Sequence, residues 1–185
     1  MKGAELLLLW FVDVALLSPT VAIFEIILEK DKGWATCFSQ RGWGTRFFEG
    51  TLIARICEKP YLTAYHLLVF PVIVPVLLIA QISAIDYYLV PKWGGSMQIE
   101  NAWAVQFLLL GAIWFSFISV EDFLWFALNW YYPGSLRRLL SGQVWWHTRW
   151  LGFGRLKLPR FYLSSQALAI LFLLTSIYLA SPRSK

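Results

Sequence analysis

The sequence predicts an all-α fold, a polytopic membrane helical bundle of about four transmembrane helices with short interfacial helices on its cytoplasmic side. Three observations predict it. Of 185 residues, 58% are hydrophobic, and the few charges gather into separate stretches, whereas a soluble domain interleaves them along every amphipathic element. Four apolar stretches each reach the ~20 residues a helix needs to cross the hydrocarbon. The chain also carries 11 Trp, 8 Tyr and 14 Phe, ring systems suited to the boundary between lipid and water.

The expected spans are residues 4–28, 62–89, 102–129 and 161–180, read as one integral membrane domain over residues 1–185. The first resembles a secretory leader, since Lys2 precedes an apolar run, but Glu5 and Asp13 interrupt that run and it continues past Ala22, so an uncleaved span is expected. The second carries Pro71 and Pro75 one turn apart. Each removes a backbone donor, so this helix is expected to bend, with neighbouring groups meeting the freed carbonyls. Membrane-crossing strands are excluded because an open edge has no water to satisfy it, and the alternation of a barrel strand is absent. Arg46 to Ile56 and Ser135 to Trp150 mix Leu, Ile, Val and Trp with Arg, the composition of segments lying on headgroups.

Orientation follows from the loop cations. Lys30, Lys32, Arg41, Arg46, Arg55 and Lys59 lie between spans one and two, and Arg137, Arg138, Arg149, Arg155, Lys157 and Arg160 between spans three and four, against Lys92 alone in the middle loop. Both basic loops are therefore expected in the cytoplasm and both termini outside, in an inner or plasma membrane. Arg183 and Lys185 in the tail are a smaller vote the other way. Cys37 and Cys57, in the first basic loop, are expected as reduced thiols. The formal charge of +5 sits beside hydrophobic spans, where anionic lipid headgroups are the expected partners and nucleic acid is not.

Ionisable groups within a span need a partner, water or a function. Glu25 and Glu29 stack one turn apart near the inner end of span one, and His66 lies about a turn inside span two. Glu121 and Asp122 reach the same boundary after some 30 Å of span three. Glu121, Trp125 and Asn129 share one face of that helix, and His147 follows in the third loop. Glu25, Glu29, His66, Glu121, Asp122, Asn129 and His147 thus form a candidate polar cluster at one depth. Carboxylates and imidazoles are the ligand types of divalent transition metals, so Glu25, His66, Glu121, Asp122 and His147 are candidate metal ligands. The structural alternative gives each an ordinary partner: Lys30 or Lys32 for Glu25 and Glu29, a carbonyl for His66, Arg149 or Arg155 for Glu121 or Asp122. Asp13 stands alone at mid-membrane, where hydrogen bonding within the bundle is expected. HExxH, GxSxG and a phosphate-cradling glycine loop are absent from the sequence, so no motif assigns a catalytic residue. A zinc site joining both thiols to His66 has no support from their spacing.

Lys59-Pro60 with Tyr65-His66, Glu121-Asp122-x-x-Trp125-Phe126-x-x-Asn129, Trp146-His147-x-x-Trp150 and Pro159-x-x-Tyr162 resemble a group of uncharacterised small bacterial and archaeal multi-pass membrane proteins. The pattern of that group places Pro directly after the Asn, where this chain has Trp130 and brings Pro133 three residues later. The resemblance implies neither activity nor cofactor. Three function classes remain: a membrane-embedded site that binds a metal or acts on a lipid, a non-enzymatic bundle that binds lipid or a partner, and a small transporter working as a homo-oligomer.

Overall fold

The computed structural model describes residues 3–33, 45–88 and 102–181. Cys37, Lys92, Arg183 and Lys185 lie outside the described residues, and so do the expectations that rest on them. The chain is an all-α bundle. Its long helices are α1 (Gly3–Glu29), α4 (Val74–Tyr88), α5 (Ala102–Leu128) and α7 (Arg160–Ala180); α3 (Ala64–Leu68) runs into α4 through a π-helical turn, Val69–Ile73. Four segments are long and apolar enough to cross a membrane: Gly3–Glu29, Ala64–Gln81, Trp103–Leu128 and Arg160–Ala180. The first, third and fourth fall within a residue of their expected bounds; the second begins at Ala64 and its apolar part ends at Gln81, eight residues before the expected end, while the helix itself runs on to Tyr88. Large apolar side chains face outward along them, among them Leu8, Phe11 and Leu16 on α1 and Leu171 and Leu174 on α7, the inverse of a soluble surface. Trp103 and Tyr178, both highly exposed, mark one end of the bundle, and Trp130 and Tyr131 mark the other, as expected for interfacial aromatics.

The proline pair distorts the second span, as its spacing predicts. Val74 N–H bonds the carbonyl of Val69, a five-residue step that widens the helix. In that register the next donor would be residue 75, meeting the carbonyl of Phe70, but Pro75 has no N–H. Trp114 on α5 supplies the missing donor: its Nε1 lies 3.0 Å from Phe70 O. The π turn is thus repaired from the neighbouring helix.

Packing divides into two cores. In the span region Leu6, Val74, Leu78, Leu109, Ile113 and Phe117 are buried together, and α5 is the hub, lying against α1 and α7 along their lengths. Gly111 permits the close α5–α7 approach; a Cβ there would stand 2.3 Å from Phe172 Cδ2. By contrast α4 rests on α5 and has no comparable contact with α7. At the loop-bearing end Ile26, Tyr61, Trp125, Phe126, Leu139 and Trp146 form the second core. Two polar arrangements cross the span region. Gln81 donates to Asp13, so the lone mid-span carboxylate is hydrogen-bonded within the bundle, as expected. Trp10 donates to Ser116 and Gln166 to Ser119, linking α1, α5 and α7.

The basic loops hold less helix than expected. Of Arg46 to Ile56, only α2 (Leu52–Ile56) is helical; of Ser135 to Trp150, only α6 (Ser135–Leu140). Two antiparallel ribbons accompany them: β1 (Arg46–Phe47) pairs with β2 (Leu62–Thr63), and β3 (Trp150–Phe153) with β4 (Leu156–Pro159). Strand edges are tolerable in these loops, which lie outside the spans. On α2 the apolar Leu52 and Ile56 point outward, as on a helix lying against headgroups, whereas α6 buries Leu139 within the protein.

Candidate functional site

All the candidate residues except Asn129 are brought together at the loop-bearing ends of the spans, and the element that organises them is the turn after α2. Glu58 N–H bonds Arg55 O and Lys59 N–H bonds Ala54 O, the paired bonds of a helix stop that places one residue in the left-handed region. That residue is Glu58, at φ 56°, where glycine is usual and another side chain costs about 1 kcal/mol. Its carboxylate is held by Arg160 Nε at 2.7 Å, with Arg149 at 4.0 Å, and its carbonyl accepts from Thr148 N–H and Oγ1. The first loop is thereby fastened to the third and to the start of α7. Lys59, the next residue, is turned inward and buried.

Lys59 Nζ lies 3.1 Å from His147 Nδ1 and 3.6 Å from Asp122 Oδ1, above the Phe161 ring at 4.6 Å. An ammonium has only donors, so His147 Nδ1 accepts and the ring proton sits on Nε2. That nitrogen faces Asp122 Oδ2 at 3.2 Å, an ion-pair distance without hydrogen-bond alignment. Tyr162 O–H donates to the same Asp122 oxygen. Burial, then the Lys59 charge, hold the His147 imidazole down to about 4, against the opposing pull of Asp122. Burial likewise lowers Lys59, and Asp122 opposes it.

On the other side of the cluster Tyr65 O–H donates to Glu25 Oε1 at 2.8 Å, and the Glu25 and Glu121 carboxyl groups are in hydrogen-bond contact. His66 Nδ1 lies 2.6 Å from Thr63 Oγ1, whose hydroxyl also caps α3. These pairings replace the simpler ones expected from sequence. Glu25 meets Tyr65 and Glu121 instead of Lys30 or Lys32; Asp122 meets Lys59 and His147, and Arg149 is turned to Glu58. His66 meets a hydroxyl instead of a carbonyl. Asn129 stands apart, with Nδ2 donating to Lys30 O at 2.8 Å and Oδ1 accepting from Tyr131 N–H; it ties the ends of α1 and α5.

The expected metal set does not assemble as a ligand shell. Among the described residues no three His, Cys, Asp or Glu groups are arranged to hold a metal ion. The reason is local: the Lys59 ammonium already stands between Asp122 and His147, and both His147 nitrogens face partners. Convergence of Glu25, His66, Glu121, Asp122 and His147 at one end is realised, with a side-chain cation at its centre. The sequence alone does not single out Lys59, Tyr65 and Tyr162 as site residues. Their positions in the Lys-Pro, Tyr-His and Pro-x-x-Tyr motifs were the available signal.

A cavity of about 620 Å³ opens beside the cluster. Glu25, Glu29, Lys59, His66, Glu121 and Asp122 border one part of it, and Leu67, Phe70, Trp114, Phe115, Ile118 and Leu168 the other. Pro71, Ser164 and Leu168 on its wall are exposed on the outer surface of the spans, where α3 and the π turn face α7 across the gap left by their sparse packing. Cys57, a free and exposed thiol, lies on the rim. Compared with known protein families, curated proteins and solved structures, the chain matches none.

Proposed function

We propose that this chain is an integral membrane protein that takes a lipid from the bilayer into the cavity between its second, third and fourth spans. The observation that carries the reading is the two-ended lining. Carboxyl, imidazole and ammonium groups gather at the loop-bearing end, and an apolar channel leads from them to a mouth on the span surface. Trp146 and Phe126 line part of the cavity's loop-facing side, where Ile56 and Cys57 of the first loop also border it. Acyl chain would lie among Phe70, Phe115, Ile118 and Leu168, and the polar end would meet Glu121 and His66. The twelve cations of the two basic loops support a cytoplasmic position for this end. A reporter fused within residues 130–160 should then be cytoplasmic, and one fused after Lys185 should not.

A second reading, chemistry on the bound polar end, draws on the contact between Glu25 and Glu121. Two carboxyls in one apolar site can exchange a proton with a ligand, one donating as the other accepts. Lipid binding comes first in either case. Protein purified in a mild detergent and extracted for mass spectrometry should retain lipid in stoichiometric amount, and Leu168→Trp, which fills the channel, should lose it. Equal lipid content in both proteins would sink the reading. Elemental analysis of the same preparation tests the metal alternative, which stoichiometric metal would restore.

A further inference from the structure

The first loop presents an apolar surface that no described part of the chain covers. On α2, Leu52 and Ile56 are each 71% exposed and Ile53 45%, while Ala54 alone turns into the protein. At about 100° per residue, Leu52, Ile53 and Ile56 share one side of this helix and Ala54 lies opposite. Phe47 on β1 and Phe48 after it are exposed as well. Large apolar side chains gathered in this way mark a contact surface, and position and charge both say what it contacts.

Ile56 borders the cavity together with Glu25, His66 and Glu121, which stand at the loop-bearing ends of three spans. The outward face of α2 is therefore at the level where the lipid-facing surface of the spans ends, and continues that surface into the loop. Its surroundings are basic. Every described Lys and Arg of the two basic loops except Lys59 is exposed, Arg55 on α2 among them, whereas Asp31 and Glu49 are the only exposed acids among the described residues of those loops. The Arg46 guanidinium lies over the Tyr61 ring at 4.4 Å, and the exposed Trp145 ring is 6.1 Å from Tyr61, a grouping of cation and amphipathic rings suited to headgroup depth. A protein partner fits less well. A stable protein interface takes about 800 Å² from each side, more than one face of a helix of 5 residues can offer. A leaflet accepts an apolar face of any size, and anionic headgroups add attraction for the cations beside it.

We infer that α2 lies in the leaflet at the loop-bearing end of the bundle, with Leu52, Ile53 and Ile56 among the acyl chains and Arg55 on an anionic lipid headgroup. The lipid reading of the cavity is not needed for this; the four spans are enough. The test uses full-length protein with Cys37→Ser and Cys57→Ser, carrying a nitroxide at Leu52→Cys or Ile56→Cys, in nanodiscs of phosphatidylcholine and phosphatidylglycerol. Both labels should be more accessible to oxygen, which concentrates in the bilayer, than to a water-soluble nickel chelate, as a reference label at the outward Leu16→Cys is. Arg55→Gln should lower the oxygen-to-nickel ratio at position 56 severalfold, the order of one cation's share of the attraction to an anionic surface. Replacing phosphatidylglycerol by phosphatidylcholine should lower it too. Leu168→Trp, which fills the cavity, should leave both labels in place, so that this inference and the lipid reading fail separately. Labels that favour the nickel chelate would put α2 in water, and labels shielded from both reagents would put a second copy or another protein over it; either result overturns the inference. So would a ratio indifferent to both Arg55→Gln and phosphatidylglycerol, since the headgroup contact would then be missing.

Discussion

Replacing Lys59 by methionine tests the centre of the cluster, because the change keeps the length of the side chain and removes only its charge. Lys59 and Asp122 side chains are 7% and 16% exposed and their charged atoms stand 3.6 Å apart. Losing one partner of a buried pair leaves the other charge uncompensated, which typically costs 3–5 kcal/mol. Tyr162 still donates to Asp122 and His147 Nε2–H still faces it, so the lower part of that range, about 3 kcal/mol, is expected. Adding Asp122→Asn removes the stranded charge and should recover about 1–2 kcal/mol of the loss, the non-additivity expected of residues in contact. Denaturation of the purified protein in mixed detergent micelles, followed by tryptophan fluorescence, measures both. A Lys59→Met protein within about 0.5 kcal/mol of the parent, the range of an inconsequential surface change, would show that the ammonium does not compensate Asp122. A double variant no more stable than the single one would show the same.

The remaining predictions concern the imidazole and two helix contacts. His147 is held at about 4 against an ordinary 6.5, so the folded state binds fewer protons than the unfolded one between these values. Its contribution is full above pH 6.5 and lost as pH falls through about 4, a difference on the order of 3 kcal/mol; His147→Asn should flatten the stability profile across that window. Trp114→Phe strands the Phe70 carbonyl inside the bundle and should cost about 1–3 kcal/mol in the same micelle assay, whereas no change would mean that another donor serves the π turn. Gly111→Val should destabilise by about 1–3 kcal/mol through the clash with Phe172, visible as a lowered thermal midpoint; an unchanged midpoint would contradict the close α5–α7 packing.

What could be read from the sequence divides along a physical line. Span positions depend on apolar length, which one chain displays directly, so Gly3–Glu29 and Arg160–Ala180 fall where they are expected. Depth along a helix is also legible, because each residue adds a fixed rise, and this placed Glu25, His66 and Glu121 at one end. Partner choice is different in kind. Whether Asp122 meets Arg149 or Lys59 depends on the turn at Glu58, a left-handed residue that is not glycine and that gave no local signal. Lys59 therefore read as one loop cation among six, although it is buried at the centre of the cluster. The ribbons β1–β2 and β3–β4 escaped notice for a similar reason: strands of two and four residues are too short to show a period.

The looseness of the second span and the polarity of the cluster have a common consequence. Pro71 and Pro75 widen the helix where Phe70 borders the cavity, and the repair by Trp114 attaches that turn to α5. The span is thus anchored on one side and leaves α7 uncovered on the other. A gap of this kind in an aqueous domain would fill with water, but along a span the available filler is lipid, whose chains match Leu168 and Phe115 in character. Burial makes every unmatched polar atom in the cluster costly, and the intramolecular partners of Glu25, Asp122 and His147 offset that cost for most of the cluster. Glu121 Oε1 and Trp125 Nε1 have no such hydrogen bond among the described residues, so the cost of burying them is set against the packing of Trp125 and Phe126 in the second core.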